Sequence, residues 1–265
     1  MSAATVEGAG VELAYEEAGS GEPLVLVHGT ASMRSIWDEV AELVSGEFRT
    51  IRYDRRGWGE SGEPEGYRGT TIEEQADDLI ALLRALDAAP ALLCGHSLGA
   101  MTCLDAIVRE PSLVRAAVLI EPPMLWLSER GAEAVSQQRA AIEEGAAAHG
   151  SNGAFAAFTR VVCGPQALDV VGRERATATL AYPRAFAADL GAVSNWSAPP
   201  RALRAIATPV VLVAGTRTPA PYRDPAVALA GIIPGAELRE CDSGHLVPNE
   251  RPEAVADAIR SLART

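Results

Sequence analysis

The chain has no lysine. All 23 of its basic residues are arginine, against 35 acidic ones, and the net charge is −12. An exterior this acidic repels phosphate backbones, which argues against a nucleic-acid partner. Long apolar runs are missing too. Runs such as Leu24-Val25-Leu26-Val27 and Val210 to Ala214 fall far short of the roughly 20 residues a membrane-spanning helix needs, so no membrane association is expected. No basic-headed apolar stretch opens the chain, so no secretory signal is read there and a cytoplasmic protein is expected. Cysteine is scarce and scattered. Cys94, Cys103, Cys163 and Cys241 form no CxxC pair, which argues against a metal site or redox use and favours reduced, mostly buried thiols. No internal repeat and no low-complexity tail is found.

What is present is an ordinary globular composition. The 265 residues are 48% apolar and 22% charged, enough for one large α/β domain carrying an insertion. Strand patterns fall at residues 11–17, 24–27, 48–53, 91–94, 116–120, 209–214 and 236–240. Helical spacing fills 71–86, where Thr71 and Glu74 form a capping box, and returns after Ser97, at 226–232 and at 252–262. The segment from Met124 to Pro200 differs. It is alanine-rich and helical in pattern, contains Trp126, Phe155, Phe158, Phe186 and Trp196, and closes on Pro199-Pro200. Strands alternating with helices imply a mostly parallel sheet covered on both faces. Ligands on such sheets bind beyond the carboxyl ends of the strands. The informative loops therefore follow Val27, Tyr53, Cys94, Ile120, Ala214 and Glu240.

One of those loops reads Gly95-His96-Ser97-Leu98-Gly99, a G-x-S-x-G turn between a strand pattern and a helical one. A serine hydroxyl is a poor nucleophile unless it is held exposed beside a base, and a tight strand-to-helix turn does the holding. With it, three further segments occur in order: His28-Gly29-Thr30, Asp54-Arg55-Arg56-Gly57-Trp58-Gly59-Glu60-Ser61 and Ser243-Gly244-His245. On these four segments the chain resembles the α/β-hydrolase superfamily, in its cap-bearing esterase, epoxide-hydrolase and dehalogenase-like branch. The resemblance implies an eight-stranded, mostly parallel sheet with helices on both faces. It also implies a core of residues 1–123 and 201–265 and a helical cap, 124–200, inserted after the sixth strand. Dehalogenases and epoxide hydrolases of this branch carry aspartate at the turn. Serine here implies acyl chemistry instead.

His245 follows the last strand pattern, and histidine suits the base because its pKa lies near neutrality. The resemblance makes the backbone N–H groups of Leu98 and Thr30 the donors that hold the oxyanion. His96 is expected to pack under the turn, His28 to order its own loop, Asp54 to shape the glycine-rich loop that follows it, and His149 to be solvated. The pattern breaks at the acid. The family's acid usually ends a G-x-x-D stretch after the strand at 209–214, but here that stretch is Gly215-Thr216-Arg217-Thr218. Glu121 is the leading replacement. It ends the strand at 116–120, Pro122-Pro123 follows it, and several branches of the superfamily place their acid there. Asp224 is the alternative. Asp242, close to His245 in sequence, is expected to shape its loop.

Met33, Trp126, Phe155, Phe158, Trp196 and Leu246 are candidates for the substrate walls, and a small, mainly apolar substrate is expected. The leading function is hydrolysis of an ester, lactone, thioester or similar acyl bond through Ser97, His245 and Glu121. The competing one is a non-hydrolytic enzyme on the same fold (a cofactor-free dioxygenase, lyase or cyclase) in which a histidine–acid dyad deprotonates the substrate and Ser97 only binds it. A ligand receptor or inactive scaffold is a third class, disfavoured by the intact serine and histidine. No cofactor and no metal is expected, the partner is a small-molecule substrate, and a homodimer is left open.

Overall fold

The computed structural model describes residues 3–263. The first two and last two residues, which the sequence reading assigns to the core, lie outside the described residues. An eight-stranded sheet runs through the molecule in the order β1-β2-β4-β3-β5-β6-β7-β8. Its strands are β1 (Ala4–Glu7), β2 (Glu12–Ala18), β3 (Glu22–Val27), β4 (Phe48–Tyr53), β5 (Ala91–His96), β6 (Val114–Ile120), β7 (Val210–Gly215) and β8 (Glu237–Cys241). The pairings β1–β2 and β2–β4 at one edge are antiparallel, and the other five are parallel. The sequence pattern located every strand but β1. Ala4-Thr5-Val6-Glu7 is short and largely exposed at the sheet edge, so it carries no alternation to read.

Helices cover both faces. α2 (Ile72–Ala85), α3 (Leu98–Arg109) and α9 (Ala220–Ile232) lie on one, and α1 (Asp38–Val44), α10 (Val247–Glu250) and α11 (Pro252–Ala263) on the other. The strands divide their side chains accordingly. Val25 and Val27 of β3 join the first core with Leu79, Leu104 and Leu229, while Leu24 and Leu26 join the second with Val40, Val255 and Ile259. Both sets are withdrawn from water, which is why the central strands read as continuous apolar runs. α2 begins at the expected capping box: Glu74 N–H donates to Thr71 Oγ1 at 3.1 Å and Thr71 N–H to Glu74 Oε2 at 3.0 Å. α9 starts at Ala220, ahead of Pro225 and earlier than the pattern after that proline indicates.

Between β6 and β7 the chain leaves the sheet and forms α4 (Gly131–Cys163), α5 (Ala167–Val171), α6 (Arg173–Thr179), α7 (Pro183–Asn195) and α8 (Pro200–Arg204). α4 is broken at His149–Gly150, where Gly150 has φ 62° and ψ −150°, and the two arms fold back on each other. A Cβ on Gly153 would lie 2.0 Å from the Gly145 carbonyl oxygen, so only glycine permits this approach. The second arm and α7 enclose a separate apolar cluster containing Phe155, Phe158, Phe186, Trp58 and Tyr67. Among the described residues, no helix is long and apolar enough to cross a membrane. The strand order reverses between β3 and β5, which puts the crevice beyond their carboxyl ends.

Candidate active site

Ser97 sits at that crevice, between β5 and α3, with φ 54° and ψ −122°. The turn needs glycine on either side. A Cβ on Gly95 would meet the Gly99 carbonyl oxygen at 2.4 Å, and one on Gly99 would meet the Val27 carbonyl oxygen at 2.2 Å. Four described non-glycine residues have positive φ, and three of them end up here: Ala31 in the loop after β3, Ser97 after β5 and Glu121 after β6. Backbone strain collected at one place marks a site whose geometry the surrounding fold enforces.

The imidazole of His245 and the carboxylate of Glu121 meet over the sheet. His245 Nδ1 donates to Glu121 Oε2 at 2.5 Å, and both residues are buried. The other carboxylate oxygen accepts the Gly215 N–H at 2.7 Å, so Glu121 reaches across the end of β7. Backbone bonds bring it there: Ser97 N–H donates to the Ile120 carbonyl at 2.8 Å and Glu121 N–H to that of Val213 at 3.1 Å. The histidine loop is fixed from its other side. Arg217 N–H donates to the Ser243 carbonyl at 2.9 Å, and Gly244 N–H to Glu250 Oε1 at 2.9 Å. Asp224, the alternative acid, is occupied elsewhere: its Oδ2 accepts the Ser128 hydroxyl at 2.7 Å. Asp242 pairs with Arg217 and Arg251 at the surface. Thr218, which stands where the resemblance would put aspartate, is buried, and its hydroxyl has no hydrogen-bond partner among the described residues.

With Nδ1 engaged by Glu121, Nε2 is the nitrogen left for proton transfer. Ser97 and His245 border the same cavity, but no hydrogen bond joins Ser97 Oγ to the ring. Such bonds are often long in ligand-free sites and tighten in the complex. His96 lies against His245, with ring centroids 4.9 Å apart, and its Nε2 donates to the His245 carbonyl at 2.8 Å. Burial, and next the His245 charge, push its pKa down to about 3, so it stays neutral. His28 is likewise held well below the usual histidine range by burial and then by Arg55. Its Nδ1 donates to the Gly29 carbonyl and its Nε2 accepts the Arg55 N–H. Asp54 accepts the Arg34 and Glu60 N–H groups at 2.8 and 3.0 Å and pairs with the Arg34 side chain, a loop-shaping role. His149 is exposed at the break in α4.

The loop after β3 packs directly on Ser97: a Cβ on Gly29 would lie 2.9 Å from Ser97 Cβ. Thr30 follows, and it borders the cavities on both sides of the serine. Leu98 is the first residue of α3, so its N–H has no partner within the helix and lies at the positive end of the dipole. One network missed by the sequence reading holds this loop. Fully buried Arg55 donates to the carbonyls of His28 and Gly29 at 2.9 and 3.0 Å, and forms a two-pronged pair with Asp189 of α7 at 3.1 and 2.6 Å. Trp58 Nε1 donates to the same carboxylate at 3.1 Å. No local pattern marks Asp189, which lies 134 residues from Arg55 in the chain.

Two chambers flank Ser97. One, of about 50 Å³, is bordered by His245, His96, Leu246, Met33, Phe155 and Phe158. The other, of about 640 Å³, is bordered by Trp126, Ile142, Leu190, Tyr222 and again Phe158. Tyr222, unmarked in the sequence, packs 6.4 Å from the His245 ring, and burial raises its hydroxyl pKa to about 12. Trp196 is a correction. It borders neither chamber. It sits in the main core with Ala192 and Leu203, 4% exposed, and its indole N–H donates to Asp105 of α3 at 3.0 Å. An aromatic residue near the end of an insertion has the core itself to bury against, and Trp196 found a buried acceptor there.

A model of the alpha/beta hydrolase family matches residues 24–258. The 2-(acetamidomethylene)succinate hydrolase of Mesorhizobium japonicum is 37% identical over 111 residues, covering 42% of this chain and 39% of that protein. The match thus spans well under half the length of that relative. A thermophilic esterase from Thermogutta terrifontis superposes with a TM-score of 0.81 at 26% identity, covering 100% of this chain and 97% of that one. Est816, described as an N-acyl homoserine lactone degrading enzyme, does so with a TM-score of 0.76 at 25% identity over 97% and 99%.

Proposed function

Because the chain belongs to the alpha/beta hydrolase family, we propose that it is a serine hydrolase cleaving an ester, lactone, thioester or similar acyl bond of a small, largely apolar substrate. Ser97 Oγ attacks the carbonyl carbon while His245 Nε2 takes its proton. Glu121 holds the ring by Nδ1 and stabilises the imidazolium that forms. The N–H groups of Leu98 and Thr30 receive the oxyanion, each donor contributing about 3–4 kcal/mol to the barrier reduction. His245 then protonates the leaving group, and water repeats the sequence on the acyl-enzyme. The observation that carries this reading is the 2.5 Å bond from His245 to Glu121, set beside a serine on a strained turn that borders the same cavity. We also take residues 124–200 as a cap over the site, and we place the protein in the cytoplasm on the strength of its four free cysteines.

A second reading draws support from the missing serine–imidazole bond: the histidine–acid pair acts on the substrate directly and Ser97 only binds it. A fluorophosphonate probe and a short p-nitrophenyl ester separate the two. Labelling that is lost in Ser97→Ala, together with ester turnover, is the expected result. Labelling without turnover would favour the second reading, and absence of both would remove enzymatic acyl transfer altogether.

A further inference from the structure

The two chambers flanking Ser97 differ in volume by more than tenfold, about 50 against about 640 Å³, and only the smaller is bordered by His245. Resting on the hydrolase reading above, we infer that the large chamber takes the acyl group and the small one the leaving group. The enzyme is then selective for bulky acyl chains on short alcohols.

The argument follows from the bonds that must break. When Ser97 Oγ bonds to the carbonyl carbon, its proton passes to His245. The carbon then carries four substituents: Oγ, the oxyanion, the acyl chain and the leaving oxygen. Collapse breaks the bond to the leaving oxygen, and that oxygen must receive the proton from His245. The leaving group therefore lies on the histidine's side, where His96, Leu246 and Met33 close the space. The acyl chain takes the remaining direction, past Thr30 toward Ile142, Leu190 and Tyr222. Water then adds to the acyl-enzyme, His245 accepts its proton and returns one to Ser97 Oγ, and the acid departs through the large chamber.

Size decides the rest. The small chamber offers less than a tenth of the space of the large one, so a short alcohol suits it and a long alkyl chain belongs in the other. Phe158 and Val162, from the second arm of α4, border both spaces and separate them. A substrate placed the other way round would have to force a long alcohol past that wall.

Methyl nonanoate and octyl acetate test this directly. They are isomers of matched size, with the long chain on opposite sides of the ester. The expected result is a kcat/KM for methyl nonanoate higher by about ten- to a hundredfold. Equal values, or faster cleavage of octyl acetate, with fluorophosphonate labelling intact, would overturn the assignment and leave the hydrolase reading standing. No cleavage of either ester together with no labelling would end both. In Ile142→Trp, which fills part of the large chamber, the ratio of methyl nonanoate to methyl propanoate turnover is expected to fall several-fold. An unchanged ratio would count against the acyl chain lying there.

Discussion

Glu121 carries two bonds at once, one to the imidazole of His245 and one to the N–H that ends β7. The second shows how a carboxylate following β6 reaches the histidine loop beyond β8. The carboxylate bridges the two strand ends, while Thr218, where the resemblance would put aspartate, is buried with a hydroxyl unpartnered among the described residues. Glu121→Gln keeps the size of the side chain and removes its charge. It is expected to lower kcat by about four orders of magnitude while circular dichroism stays that of the folded protein. Asp224→Asn, which alters only a contact with Ser128, is expected to change kcat less than about threefold. If steady-state kinetics on a p-nitrophenyl ester reverse that order, the assignment of the acid is wrong. The missing aspartate was visible in the sequence and directed attention to Glu121. Asp224 stayed open because 124 residues separate Glu121 from His245, and side-chain type alone does not specify which carboxylate arrives.

The element that borders both cavities beside Ser97 is the broken helix α4. Its residues read as helix throughout, and alanine gives them that propensity. The reversal at His149–Gly150 depends on a positive φ that glycine adopts without cost. The pairing of the two arms depends on Gly145 and Gly153, each of which would drive a Cβ into the other's carbonyl oxygen. Gly153→Ala is therefore expected to push the arms apart and cost about 1–3 kcal/mol, as overpacking does. Urea unfolding would register this as a lower midpoint, and an unchanged midpoint would show that the arms are looser than the structure indicates. Gly191 of α7 has open space around it, so Gly191→Ala serves as the control. The sequence located the strands well because central strands are apolar on both faces. It read residues 124–200 as one helical segment, because helical periodicity does not mark a reversal.

At the scale of the whole molecule, the core and the inserted helices are joined by a buried ion pair. Arg55 and Asp189 have no exposed surface. The same guanidinium holds the carbonyls of His28 and Gly29, just before Thr30. The loop that flanks the serine is thereby tied to α7. Removing one member leaves the other charged and buried without its counter-charge, which typically costs about 3–5 kcal/mol. Asp189→Ala is expected to lose that much in urea denaturation, whereas Arg139→Ala, which breaks an exposed pair with Glu143, is expected to leave the urea midpoint nearly unchanged. Similar losses for the two would mean that the buried pair does not fasten the insertion.

The sequence by itself determined the alternation of strands and helices, the turn that presents Ser97 and the loop that carries His245. Each of these is local, since apolar periodicity and glycine spacing act over a handful of neighbouring residues. Tertiary structure alone decided that Glu121 meets His245, that Asp189 meets Arg55, that Trp196 belongs to the core, and that the spaces on the two sides of the serine are unequal. Those outcomes depend on how distant segments pack, and packing is a property of the assembled fold that no stretch of chain contains.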